Sequence, residues 1–168
     1  MKKNKLIIHD MATSEFNREF GTIFANDIVL SPDMKISHCI GCYGCWLRTP
    51  GVCVQKDDFQ NIAELFCRAE EIILLTQCAF GGYSPFVKNV MDRCLGHVLP
   101  FFEKRKDGKL RHVSRTTHHP HLSVYFYGEV TEEETRTAKK LVEYNAMNLH
   151  ATAYNVAFYR DINEIRGE

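Results

Sequence analysis

The chain has 168 residues, 45% hydrophobic and 25% charged, with 21 basic residues balanced by 21 acidic ones. That length suffices for one domain with a proper core. The balanced charge gives no global field toward nucleic acid or an anionic membrane, so neither is expected as a partner.

At the start of the chain, behind a basic opening, the apolar run Leu6-Ile7-Ile8 falls short of the roughly 7–15 residues of a signal-peptide core. No segment approaches the roughly 18 apolar residues of a membrane span. The expected location is cytoplasmic, where thiols stay reduced and clustered cysteines bind metal or react rather than form structural disulfides.

Five segments have strand length: 5–9 (KLIIH), 27–30 (DIVL), 71–76 (EIILLT), 122–127 (LSVYFY) and 152–159 (TAYNVAFY). Ile72 to Leu75 is apolar without alternation, as in a strand buried on both faces, so the third segment should be central. Helical patterns fall between the strands. A weak one fits 13–24. Asp57 with Gln60 makes a capping-box-like start before Ile62, Leu65, Phe66 and Ala69. Ser84-Pro85 offers an N-cap and N1 proline before Val87, Val90, Met91 and Cys94, and Thr131 with Glu134 caps Ala138, Leu141, Val142 and Leu149. Such alternation implies parallel strands joined by right-handed crossovers. The expected architecture is α/β: a three-layer, doubly wound, parallel five-stranded sheet in one domain over 1–168. The stretch at about 97–121 carries KRKDGKLRH, whose Asp107-Gly108 is a hairpin signal. It reads as an insertion with a solvated or subunit-contacting basic face.

Ligands of an open parallel sheet bind beyond the carboxyl ends of its strands. The loops there are 9–14, the cysteine segment, 77–84 and 128–131. Gly81-Gly82 lets the backbone approach a ligand and leaves amides to face it, with Phe80, Tyr83 and Trp46 as flat surfaces for a planar ring. Cys39, Cys42, Cys45 and Cys53 stand at intervals of two, two and seven residues. Three thiolates so spaced, with a fourth farther along, can wrap a [4Fe-4S] cluster. Tetrahedral zinc and free or reversibly oxidised thiols are the alternatives. Cys67 and Cys94, at apolar helix positions, read as core. Asp57-Asp58 read as a helix cap, and the histidines of 117–121 have no established ligand spacing.

The succession CIGCYGCWLRTPGVCVQKDD, EIILLT, GGYSPFVKNVMDR and LPFF resembles the flavodoxin-like NAD(P)H-dependent FMN reductases, in the branch that includes the iron-sulfur flavoproteins. The resemblance implies strand order 2-1-3-4-5, FMN at the carboxyl edge, NAD(P)H as donor and a homodimer or homotetramer. Thr76, Phe80, Gly81, Gly82, Tyr83 and Ser84 match the family's ring loop, Cys78 lies within it, and Gln77 stands where proline is usual. The phosphate loop departs further: residues 9–15, HDMATSE, contain no glycine or arginine, and Asp10 and Glu15 would repel a dianion. Thr13 and Ser14 remain as hydroxyl donors, with Arg18 one turn on. The expected function is an FMN-dependent oxidoreductase or electron-transfer flavoprotein in which the flavin carries the chemistry and no side chain is a required acid or base. The alternative is a flavodoxin-like protein that has lost FMN and serves as a thiol redox sensor or interaction subunit.

Overall fold

The computed structural model describes residues 4–167; the basic opening, Lys2-Lys3, lies outside them. Strands β1 (Lys5–His9), β2 (Ile28–Leu30), β3 (Glu71–Gln77), β6 (His121–Tyr127) and β7 (Ala153–Tyr159) form one parallel sheet of order β2-β1-β3-β6-β7. The expected 2-1-3-4-5 does not describe it in chain numbering. Positions four and five go to β4 (Val98–Lys104) and β5 (Leu110–Ser114), which pair only with each other as an antiparallel hairpin. Arg105 and Lys109 close the turn around Gly108, which takes φ +84°.

Burial on both faces explains why β3 is apolar throughout. Ile72 and Leu74 join Leu6, Ile8, Phe66, Val87 and Val142 on one side of the sheet, while Ile73 and Leu75 join Ile7, Phe16, Phe20 and Ile162 on the other. Period-two alternation of the strand thus feeds two cores rather than one core and solvent. Helices α3 (Ile62–Arg68), α4 (Pro85–Arg93) and α5 (Glu132–Asn148) cover the first face; α1 (Thr13–Phe20) and a C-terminal 3-10 turn cover the second.

Helix starts follow their side chains unevenly. Thr131 and Glu134 form a reciprocal capping box on α5. Ser84 precedes the N1 proline of α4, but its hydroxyl makes no cap. Asp57 does not cap α3, which begins five residues later behind Asn61; its carboxylate is taken by Arg93. Helix α1 stops at Phe20 rather than continuing to 24, although Phe24 still packs against Phe16 and Phe20. Among the described residues no helix is long and apolar enough to cross a membrane.

Candidate functional site at the carboxyl edge of the sheet

The loop after β1 is organised by Asp10. Its carboxylate accepts from the Gln77 amide at 2.8 Å, the Thr76 hydroxyl at 3.2 Å and the Tyr127 hydroxyl at 2.6 Å. These donors come from the ends of β3 and β6, so Asp10 ties three strand ends together. Burial, and then the Asp10 contact, push the Tyr127 phenol well above its ordinary range, which keeps it a donor. The charge expected to repel an anion is thus engaged by three donors at the strand ends. Arg18 is held by Glu19 at 2.6 Å.

Polar groups without partners gather at this same edge. Both ring nitrogens of His9, the hydroxyl of Thr13 and the hydroxyl of Ser84 are buried without a hydrogen-bond partner. His9 is fully buried and stacks on Phe16 at 4.0 Å, and burial outweighs the pull of Asp10 to push its pKa down to about 4. Such orphaned groups in a folded chain call for a strain, ligand or water explanation. Thr13 opens α1 and Ser84 precedes α4, so both hydroxyls stand at helix N-termini, where backbone N–H groups and the helix dipole favour an anion. Ser14 is exposed beside Thr13.

The loop after β3 presents Phe80. It is 94% exposed, and its backbone is left-handed at φ +52°. For a residue other than glycine that conformation costs about 1–2 kcal/mol. A fully exposed aromatic ring held at that cost marks a surface meant to be covered. Gly81 follows at φ +76°, and a Cβ there would lie 2.8 Å from that of Thr137, so the loop hugs α5. The Gly82 amide is not free, as expected, but bonds to Ala79 O at 2.9 Å. Tyr83 turns inward: it is buried, stacks on Phe126 and accepts a bond from Asn145. Thr76 is buried beneath the loop and accepts from the Ser84 amide at 3.0 Å. Cys78 is half-buried, and burial raises its thiol pKa against the Gly81 amide that lowers it.

The cysteine segment is pinned at both ends. Arg93, from α4, makes a bidentate pair with Asp57 at 2.7 and 2.9 Å and donates to Ser37 O at 2.6 Å. Ser37 and Phe59 amides return two bonds to Asp57, and the Lys35 amide donates to Asp58 at 2.8 Å. The adjacent carboxylates thus sew the exit of β2 to the approach of α3. Burial alone would raise the Asp57 pKa, but Arg93 and the two amides hold it well below the usual carboxylate range.

Between these anchors, α2 (Gly44–Leu47) is a single unforeseen turn. Cys39 and Cys42 are exposed, Cys45 and Cys53 partly buried, and all four are free. Among the described residues no three His, Cys, Asp or Glu side chains are arranged to hold a metal, so the donors as placed do not fit a cluster or a zinc ion. Burial, with Cys53 next, raises the Cys45 thiol pKa. Trp46 faces the hairpin instead of the ring loop: its indole donates to Val98 O at 2.9 Å and its ring lies 5.0 Å from that of His112. Cys94 is core, as its spacing indicates, and Cys67 is partly buried.

Sequence reasoning missed Asp10, Tyr127 and Arg93 as organisers. Asp10 was legible only as a repelling charge, because its donors lie 66 to 117 residues away.

No family model matches the chain. The iron-sulfur flavoprotein of Archaeoglobus fulgidus is 32% identical over 92 residues, 55% of this chain and 43% of that protein. The chain therefore spans less than half the length of the curated relative it matches. Among solved structures, the NAD(P)H:quinone oxidoreductase of Methanothermobacter marburgensis superimposes with a TM-score of 0.64 at 12% identity, over 99% of this chain and 92% of its own. The general stress protein 14 of Treponema denticola, in complex with FMN, gives 0.57 at 10% identity over 98% and 90%. An FMN-dependent NADH-azoreductase of Bacillus anthracis, also with FMN, gives 0.54 at 13% over 98% and 92%. Over part of its length the chain is thus similar in sequence to an iron-sulfur flavoprotein, and over nearly all of it the chain has the α/β, flavodoxin-like fold of these flavoprotein structures.

Proposed function

We propose that the protein is an FMN-dependent oxidoreductase with NAD(P)H as its donor. The observation that carries this reading is Phe80, an aromatic ring 94% exposed on a left-handed backbone at the carboxyl edge of the central strand. The unpaired hydroxyls of Thr13 and Ser84 on either side of the β1–β3 junction supply a second support.

Thr13, with Ser14 beside it, would hold the phosphate through hydroxyls and the first amides of α1, in place of the glycine-rich loop the chain lacks. Phe80 would cover one face of the ring, Gly81 and Gly82 would keep the loop free of side chains there, and Ser84 would donate or accept at the ring's polar edge. Thr76 and Asp10 position this loop from below. Tyr83 supports it from within the helical layer. When bound, FMN supplies the hydride and electron chemistry, and the protein contributes position, exclusion of water and hydrogen bonds. No step is assigned to a cluster at Cys39, Cys42, Cys45 and Cys53. The exposed Phe101, Phe102 and Leu110 of the hairpin suit the subunit contact of a homodimer or homotetramer.

Titrating FMN into flavin-free protein and following the quenching of flavin fluorescence tests the assignment. Saturable binding that Phe80→Ala weakens about tenfold, the worth of roughly 1.4 kcal/mol of lost stacking, is the expected result. Binding unaffected by Phe80→Ala moves the ring elsewhere. No binding by the wild type leaves the exposed thiols Cys39 and Cys42, and so a redox-sensing or interaction role, as the surviving reading.

A further inference from the structure

Between α4 and α5, under the β4–β5 hairpin, lies a cavity of about 430 Å³. Small-molecule sites typically occupy about 300–1,000 Å³. Met91 and Leu95 form one wall, Leu141 the facing wall, and His112 of the hairpin closes the far end. Of the ring loop, Gly82 and Tyr83 reach the lining, while Thr13, Phe80 and Ser84 form no part of it.

One buried polar group of this lining keeps an unused proton. Tyr83 is 6% exposed; its hydroxyl accepts from Asn145 Nδ2 at 2.9 Å, and its own proton has no acceptor among the described residues. Burial, against the Asn145 bond, pushes this phenol up to about 12, so it remains a donor at neutral pH. His97 Nδ1 lies 2.7 Å from Cys94 O, while its Nε2 lies 3.4 Å from Asn148 O. Both ring nitrogens of His97 thus face a carbonyl oxygen, and burial lowers the ring's pKa. The cavity thus offers one unused donor on largely apolar walls, with Lys88, Asp92, Asn145 and Asn148 among its other polar lining.

We propose that this cavity binds a flat, largely apolar small molecule of phenolic type, about two fused rings in size, whose edge oxygen accepts the Tyr83 proton. The site shares Gly82 and Tyr83 with the ring loop but includes none of Thr13, Phe80 and Ser84, and its test needs no flavin.

Isothermal titration calorimetry of the full chain with 2-naphthol, and with naphthalene as the same ring system lacking the hydroxyl, tests it. Saturable binding of 2-naphthol is expected, with Tyr83→Phe weakening it about tenfold, the upper end for one hydrogen bond, and leaving naphthalene unchanged. Leu141→Trp and Met91→Phe, which fill the space, should abolish binding of both probes. Absence of saturable 2-naphthol binding overturns the proposal. So does retention of wild-type affinity by Tyr83→Phe or by both cavity-filling variants. Binding that appears only when a dimer is diluted to monomers assigns the space to a second copy of the chain and also overturns it.

Discussion

Replacing Arg93 by methionine tests how the cysteine segment is held to the helical layer. The Arg93 and Asp57 side chains are 0% and 1% exposed, so neither charge has water to fall back on. Removing one member of such a pair costs about 3–5 kcal/mol, because the other is left buried and uncompensated. Asp57 would keep its two amide donors from Ser37 and Phe59, but Ser37 O would lose its guanidinium donor. We therefore expect a loss of about 4 kcal/mol, within the stated range. Urea denaturation followed by circular dichroism measures it. In the double variant Asp57→Leu/Arg93→Met no charge is stranded, and a coupling of at least about 2 kcal/mol should be recovered. The pH dependence has a defined sign. The Asp57 pKa is lowered from 3.8, so the pair's stabilisation is complete above the unfolded value and is lost only as pH falls through the lower folded one. A cost below about 1 kcal/mol for Arg93→Met, or strict additivity in the double variant, would refute the reasoning.

The His9 pKa is lowered from 6.5 to about 4, so the unfolded chain binds the extra proton between these values, and stability should fall by about 3 kcal/mol as pH drops through that window. His9→Phe keeps the stack on Phe16 and should flatten this part of the curve; a wild-type profile already flat there would contradict the assignment. Phe80→Gly relieves the left-handed backbone, and should leave stability unchanged or raised by up to about 1 kcal/mol while weakening flavin binding, which melting and FMN titration read separately. Gly81→Ala meets Thr137 at 2.8 Å with φ +76°, and a loss of about 2 kcal/mol in urea melts is expected. Tyr127→Phe removes a 2.6 Å bond to the Asp10 carboxylate and should cost about 1.5–3 kcal/mol, the worth of a hydrogen bond to a charged group.

Much of the architecture was legible because the patterns are local. An apolar run from Ile72 to Leu75 has to be central when each face meets a core, and Thr131 with Glu134 signals a helix start from four residues alone. The Asp107-Gly108 turn identifies a hairpin in the same way. What sequence could not show is where long-range side chains turn. Asp57 resembles a cap because capping carboxylates occupy such positions; only the approach of α4 reveals Arg93 as its partner, 36 residues away. Tyr83 sits in a loop that reads as ligand-facing, yet burial against Phe126 outweighs exposure at the edge. The cysteine spacing permits ligation, while the turn at Gly44–Leu47 and its Trp46 anchor to the hairpin dictate where the thiols stand.

The most direct measurement is the visible absorption spectrum of the protein purified without air, together with iron analysis and identification of whatever small molecule denaturation releases. The expected result is a flavin spectrum and one FMN released per chain, with affinity reduced by Thr13→Val and by Phe80→Ala. A colourless protein that releases no flavin and fails to bind added FMN would contradict the central claim, and would leave Phe80 and the unpaired hydroxyls of Thr13 and Ser84 to be explained by a different ligand.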